Sequence, residues 1–382
     1  MGASVIRHDV RQHHTSDRLG VSLIICCHNS AKLLPKALAN IRNQRASGDL
    51  EWEVLVVDNA STDDTAQIAY NCWSGDVPAS LRVVEEPNLG LCHARERGFT
   101  EAKFEAVSFI DDDNLICPDW VAVVSEAMAM NPAVGAIGSV NRAISDVPLP
   151  QWFRRYCEFY ACWASSELSA VPTMLNGAGM TIRKSVWEEL RNNGFESRLT
   201  DRVGTRLSSC GDLELGLAIK LAGWKILIEP RLQLDHYLSA ERLRWNYLRR
   251  LMRGIGESNV LLDFYFNASQ EGHTHPPVAL AVEVGFHHAG LIDRIRKRYW
   301  WWKFVSEARR LLRRYSVRTL IKCCFAEMYD DDDAPDIEWR VGRLVGLIRM
   351  RSRYISLRHD IGNAPWRKRE TPFWDLPGSS AS

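Results

Sequence analysis

Four largely apolar runs, the first of them continuous and each closed by a polar cluster, constrain this chain more than anything else in it. VSLIICC (Val21–Cys27) is followed by His28 and Asn29, WEVLVV by Asp58 and Asn59, LRVV by two glutamates and AVSFI by three aspartates. A strand with one wet face alternates apolar and polar residues, so an unbroken run belongs to a strand buried on both faces. Between the runs lie KLLPKALANIRNQ, STDDTAQIAYNC and PNLGLCHARERGF, read as helices, the second with a Ser or Thr cap. Strands alternating with helices build a parallel sheet through βαβ crossovers, and ligands bind such sheets beyond the carboxyl ends of the strands. The clusters Cys27-His28-Asn29, Asp58-Asn59 and Asp111-Asp112-Asp113 all fall at that edge and converge on one site.

The third cluster needs a partner. Adjacent carboxylates repel one another and are expensive to bury unpaired. FIDDDNLICPDW contains no basic residue, so the counter-charge is either a cation distant in sequence or a bound metal. The whole chain carries a net charge of +1, which gives no general attraction to nucleic acid, and no such partner is expected. The balance is uneven, with 20 Lys/Arg against 11 Asp/Glu between Leu291 and Glu370. That excess, with Trp300–Trp302 beside arginines, leaves two readings open: packing on the rest of the chain, or peripheral contact with a membrane. Ten cysteines without a CxxC pair suggest neither a zinc site nor a disulfide framework, and point to a reducing compartment. The first residues lack an apolar core of signal-peptide length. No apolar run reaches the roughly 18–20 residues of a membrane span. A cytoplasmic location is expected, with the inner face of the membrane as the alternative.

The rest of the chain is less regular. Val134–Arg142 reads as a strand, NGAGMTIRKSVWEEL as a glycine-rich strand entering a helix, and LELGLAIKLAGWKILIEP as a helix from about Leu213, a stop at Gly223 and a short strand. Leu243, Tyr247, Leu251 and Ile255 recur at period four on a basic helix. The expected division is a flexible tail over 1–19, a catalytic domain over 20–264, a linker over 265–277, a helical appendage over 278–357 and a loose tail over 358–382. Two stripes define the appendage: Trp300, Phe304, Ala308, Leu311 and Tyr315, then Ile337, Val341, Leu344, Val345 and Ile348. Asp330–Asp333 reads as a solvated loop between them. His273 and His275 are given no role.

Taken in order, VLVVDNASTDDT, PNLGLCHARERGF, FIDDDNLICPDW, GAGMTIRKSVW and GDLELGLAIKLAGW resemble the motifs of the family 2 glycosyltransferases with the GT-A fold. The resemblance runs from about Val21 to Gly256. It implies a mixed, mostly parallel α/β sheet flanked by helices, with the C-terminal helices outside it. It also implies a nucleotide-diphospho-sugar donor, a glycan, lipid-linked or other hydroxyl acceptor, an inverting displacement, and Mg²⁺ or Mn²⁺. A hard cation of this kind takes oxygen ligands and bridges carboxylate to phosphate, so the counter-charge of the aspartates arrives with the donor.

Residue by residue, the resemblance makes Asp113 the metal ligand and sets Asp111 on the ribose or the metal, with Asp112 ambiguous between them. Cys27, His28 and Asn29 would line the base pocket and Asp58 would meet the base or ribose. Asn88 and Arg95 belong to the pattern that approaches the diphosphate, although the Asn expected after Arg95 is Glu96. Gly177, Ala178 and Gly179 fall on the acceptor side, and His236 near the metal or the diphosphate. Asp212 matches the general base, normally the second residue of a Glu-Asp pair; the first is Gly211 in this chain. Glu214 is the reserve base.

Simpler roles stand beside these. Asp58 can cap the turn at Asn59–Ser61, Asp212 can cap a helix starting at Leu213, and Glu214 can complement its dipole. His236 can be a satisfied structural histidine, and the glycines can serve sheet packing. Two other functions compete. A nucleotidyltransferase would want a Gly-rich basic loop after the first strand, where CCHNSAKLL stands with Lys32 and Lys36 nearby. A non-catalytic nucleotide-sugar-binding module would draw its support from Gly211.

Overall fold

The computed structural model describes residues 19–163, 175–202, 207, 209–270, 289–314 and 334–368. Eight strands form one sheet: β1 (Val21–Cys27), β2 (Trp52–Asn59), β3 (Ser80–Glu86), β4 (Ala106–Asp111), β5 (Asn114–Ile116), β6 (Val134–Ile144), β7 (Thr181–Arg183) and β8 (Lys225–Tyr237). Their order is β3-β2-β1-β4-β7-β6-β8-β5. β1 pairs in parallel with β2 and β4, β2 with β3, and β6 with β8; β7 runs antiparallel between β4 and β6, and β5 antiparallel to β8. The expected fold class is the one observed.

The runs of β1, β2 and β4 are apolar because both faces of the sheet are covered there, whereas β3, at the sheet edge, is only partly buried. Val21, Leu23 and Ile25 of β1 face one cluster while Ile24 faces the other. The first cluster is closed by α1 (Leu34–Ile41) through Leu34, Leu38 and Ile41, and by α4 (Trp120–Met130) through Trp120, Val121 and Val124. The second is closed by α3 (Leu91–Glu101), α6 (Lys184–Asn192), α7 (Gly211–Leu221) and α8 (Trp245–Gln270). The remaining early helices are α2 (Thr65–Cys72) and the short α5 (Phe153–Tyr156).

Three boundaries differ from the sequence reading. β8 is one strand of 13 residues rather than a short strand ending near Pro230. Its register against β6 shifts between Gly138–Ile228 and Val140–Gln233, and a bulge of this kind tolerates the missing N–H of Pro230. α8 runs through Phe266 to Gln270, into the stretch read as linker, because Phe264, Tyr265 and Ala268 keep its apolar face buried. Past Arg358, read as loose tail, the chain stays packed in a helix over Tyr354–Gly362, with Leu357, Ile361 and Trp366 buried. His273, His275 and Asp330–Asp333 lie outside the described residues.

The later helices, α9 (Ala289–Arg314), α10 (Ala334–Arg349) and α11 (Tyr354–Gly362), pack on α8 and on one another. Trp300, Leu347, Tyr354, Leu357 and Ile361 join the same apolar cluster as α7 and α8. The expected stripe of α10 is buried in part: Ile337, Val341 and Leu344 pack with Leu311 of α9. Ile337 is buried, but Ile348 is 56% exposed, and the rest of the buried face includes Glu338, Gly342, Arg343 and Gly346. Among the described residues no helix is long and apolar enough to cross a membrane.

Candidate active site

Beyond the carboxyl edge of β1 and β4 lies a cavity of about 380 Å³. Of the residues singled out from sequence, Cys27, His28, Arg95, Asp111, Asp112, Asp113, Gly177, Ala178, Asp212 and His236 line it. Parallel register brings the first of them together, since Cys26 lies beside Asp111 and Cys27 beside Asp58. His28 Nδ1 lies 2.8 Å from the Asn59 carbonyl oxygen, tying the end of β1 to that of β2.

The aspartates find their counter-charge in arginines distant in sequence. Arg242, in the turn before α8, donates from Nη1 to Asp113 Oδ2 at 2.7 Å and lies 3.3 Å from His236 Nε2. His236 is buried and its Nδ1 lies 2.8 Å from the Tyr160 carbonyl oxygen. That hydrogen bond places a proton on Nδ1 and leaves Nε2, 3.4 Å from Asp113 Oδ2, to carry either a second proton or a lone pair. Tyr160 also donates its hydroxyl to the Arg242 carbonyl at 3.0 Å, so one aromatic residue braces both groups. Burial would raise the Asp113 carboxyl, but His236 and Arg242 hold it below the usual range. Burial and the Asp113 charge raise Asp111 and push Asp112 up to about 7. Asp113 is thus the firmly anionic member of the three. His236 lies within β8, directly across from Asn114 on β5, rather than after a strand.

A second buried arginine stands on the other side of the cavity. Arg95, on α3, donates to Asp201 Oδ2 at 2.7 Å, and both side chains are largely buried. Its Nη2 occupies the place a Cβ on Gly177 would take, so Gly177 is small because the guanidinium passes over it. The Gly177 N–H donates to Asp212 Oδ2 at 2.6 Å, and the Leu213 N–H to Asp212 Oδ1 at 2.9 Å. Asp212 therefore stands in the first turn of α7 with its orientation fixed and lone pairs left over for a further donor.

Other sequence candidates have different placements. Glu214 does not reach the cavity. It is fully buried and accepts from Ser197 Oγ, the Arg198 and Leu199 N–H groups and the Tyr265 hydroxyl. Burial raises its carboxyl despite those donors, and its role is to clamp residues 197–199 to α7 and α8. Asn29 turns outward, accepting from the Thr62 N–H at 2.8 Å while its own N–H donates to Ser61 Oγ at 2.9 Å. Asn88 contributes its carbonyl to Asn59 Nδ2 at 2.6 Å and holds the loop before α3. Gly179 has φ of +80°, and a Cβ there would lie 2.9 Å from Trp120, so packing requires it. Asp58 lies at the end of β2 outside the cavity lining, half-buried, with Oδ1 buried and unpartnered.

Sequence reasoning missed Arg242, Asp201, Tyr160 and the α8 residues Ile255 and Asn259, all of which line the cavity. Arg242 carried a signal, a basic residue shortly after His236 that answers the missing counter-charge. Asp201 carried none in its local sequence. Leu213 and Asn259 also border a second cavity of about 640 Å³, walled by α8, α9 and α10.

Cations and carboxylates set around one cavity at a sheet edge define an α/β protein with a polar ligand site. Residues 22–191 match the family model described as "Glycosyl transferase family 2", and this part of the chain is similar to that family. It is 26% identical over 251 residues to the poly-beta-1,6-N-acetyl-D-glucosamine synthase of Staphylococcus epidermidis, covering 64% of this chain and 57% of that protein. It is 31% identical over 121 residues to the chondroitin synthase of Escherichia coli, covering 31% and 17% respectively. The chain thus spans less than two thirds of the length of these relatives. Its fold is similar to that of a mannosyltransferase from Pyrobaculum calidifontis in complex with GDP-Man and Mn²⁺, with a TM-score of 0.51, 88% of each chain covered and 19% identity.

Proposed function

We propose that this protein is an inverting glycosyltransferase that moves a sugar from a nucleotide-diphospho-sugar to an acceptor hydroxyl. The observation that carries this reading is the meeting of Asp113, Arg95, Arg242 and Asp212 around one cavity. Arg95 and Arg242 provide fixed positive charge where a departing diphosphate gains negative charge, and such preorganised charge is usually the largest catalytic effect. Asp212 accepts the proton of the acceptor hydroxyl as its oxygen attacks the anomeric carbon. The bond from that carbon to the diphosphate breaks in the same displacement, and the nucleoside diphosphate leaves with the electron pair.

The residues also fit a divalent cation. Asp113 offers a carboxylate, and His236 Nε2, when unprotonated, offers a lone pair. Among the described residues no group of three His, Cys, Asp or Glu could hold a metal, so substrate and water would complete the set, as is usual for Mg²⁺. Once bound, the ion would act as a Lewis acid on the leaving group. The acceptor would enter past Leu213 and Asn259, the rim shared with the second cavity, which lies on the Asp212 side.

The test is incubation with nucleotide sugars and Mn²⁺, including UDP-GlcNAc and GDP-Man, followed by measurement of the phosphate product. Release of a nucleoside diphosphate with an inverted glycosidic product is expected. Pyrophosphate release would assign a nucleotidyltransferase, and binding without turnover a non-catalytic module.

A further inference from the structure

Gly211 departs from the Glu-Asp pair expected at the start of α7, and the structure contains the missing carboxylate. A Cβ built on Gly211 would meet the carboxylate of Asp201, lying 2.7 Å from its Cγ and 2.8 Å from Oδ1. Asp201 Oδ1 accepts the Gly211 N–H at 2.6 Å, and Oδ2 accepts from Arg95 Nη1 at 2.7 Å. One residue thus caps α7 and pairs with the buried arginine, from the space in which a side chain at 211 would begin. Its backbone is held at φ of +52°, a conformation uncommon for a residue with a Cβ.

We propose that Asp201 replaces the carboxylate absent at residue 211 and acts as the positioning residue for Arg95 and Asp212. Arg95 lies between two acids: Asp201 takes Nη1, and Nη2 passes over Gly177, whose N–H holds Asp212. With Asp201 in place the guanidinium is anchored away from Asp212, and that carboxylate stays available to an acceptor hydroxyl. Without it Arg95 turns to Asp212, the nearest remaining acid at that end of the cavity, and occupies the base. The pairing also explains why residue 211 is glycine: two carboxylates do not fit in the same space. The kinetic part of this inference rests on the glycosyl-transfer reading; the exclusion between positions 201 and 211 does not.

The test is a cycle of Asp201→Ala, Gly211→Glu and the double variant, with thermal unfolding and steady-state transfer measured on each. Asp201→Ala should reduce kcat about tenfold or more, and by more than it raises the donor KM, since Arg95 loses its anchor while Arg242 and Asp113 keep their pairing. Gly211→Glu alone should lower the Tm by collision with Asp201. The double variant should recover both Tm and kcat, with coupling of at least about fivefold, within the range for residues in contact. Additive behaviour in both measurements would overturn the inference, as would an Asp201→Ala enzyme with wild-type kcat. If no donor is turned over by the wild type, the glycosyl-transfer reading fails. The Tm cycle then decides the exclusion on its own: recovery supports it, and additivity overturns it.

Discussion

Arg242 lies within hydrogen-bonding distance of both groups that a divalent cation would use, Asp113 Oδ2 and His236 Nε2. Removing the carboxylate leaves that arginine and the histidine facing each other with no anion between them. Asp113→Ala is therefore expected to lower turnover to the level of chelator-treated enzyme and to abolish Mn²⁺-dependent nucleotide binding in calorimetry; full activity in excess chelator would refute metal assistance. Asp212 and Glu214, two residues apart, should respond in opposite ways. Asp212→Asn should lose about 10²–10⁴ in single-turnover rate, the scale of general-base catalysis, with nucleotide affinity retained. Glu214→Gln should keep most of the rate and lose about 1–3 kcal/mol of stability, because a buried acceptor of several donors is weakened. A dead Glu214→Gln beside an active Asp212→Asn would reverse the assignment. The acid run was legible in sequence because it closes a strand, where position fixes the neighbourhood, and Arg95 because it belongs to the motif PNLGLCHARERGF that leads into α3. Arg242 and Asp201 were not, because their partners lie 129 and 106 positions away, and only folding brings them together.

α8 and α10 meet through glycines. A Cβ on Gly256 would collide with the Trp339 carbonyl, one on Gly342 with the Arg253 carbonyl, and one on Gly346 would stand 2.6 Å from the Glu257 carbonyl oxygen. Backbones this close leave no room for large side chains, so the apolar residues Ile337, Val341 and Leu344 lie toward Leu311 of α9 instead. Charge fixes the pairing: Glu338 accepts from Arg249 at 2.7 Å and from Arg253 at 2.6 Å, and Arg343 reaches Asp263 at 2.6 Å and Glu307 at 3.0 Å. Gly342→Leu should cost about 1–3 kcal/mol or more by overpacking, read as a lower Tm, and should weaken nucleotide binding through Ile255 and Asn259 on the opposite side of α8. Unchanged binding in a destabilised but folded variant would show that the two faces of α8 are uncoupled. Elements β1 to β4 were readable because a largely apolar run has few alternatives in an α/β chain. β8 was cut short because proline normally ends a strand, and a bulge that accommodates it leaves no mark in hydrophobic periodicity.

At the scale of the molecule, apolar surface remains on the later helices. Trp300 turns inward, with Nε1 donating to the Leu347 carbonyl at 2.8 Å, whereas Trp301 and Trp302 are 58% and 65% exposed. Indole rings among arginines suit a lipid headgroup region. Co-sedimentation with anionic vesicles, weakened by the Trp301→Ala/Trp302→Ala pair and absent with neutral vesicles, is the expected outcome; equal absence from both pellets would leave these rings with no membrane role. The packing of α8 also has a consequence in time. Every described residue that lines the cavity has been synthesised by Asn259, yet one side of the helix carrying Asn259 is covered by residues 334–366. A ribosome that has just completed α8 holds a full set of ligand-facing side chains on a wall whose other side is still wet. The cavity is therefore written early in synthesis, and its wall is covered late, once residues 334–366 have followed.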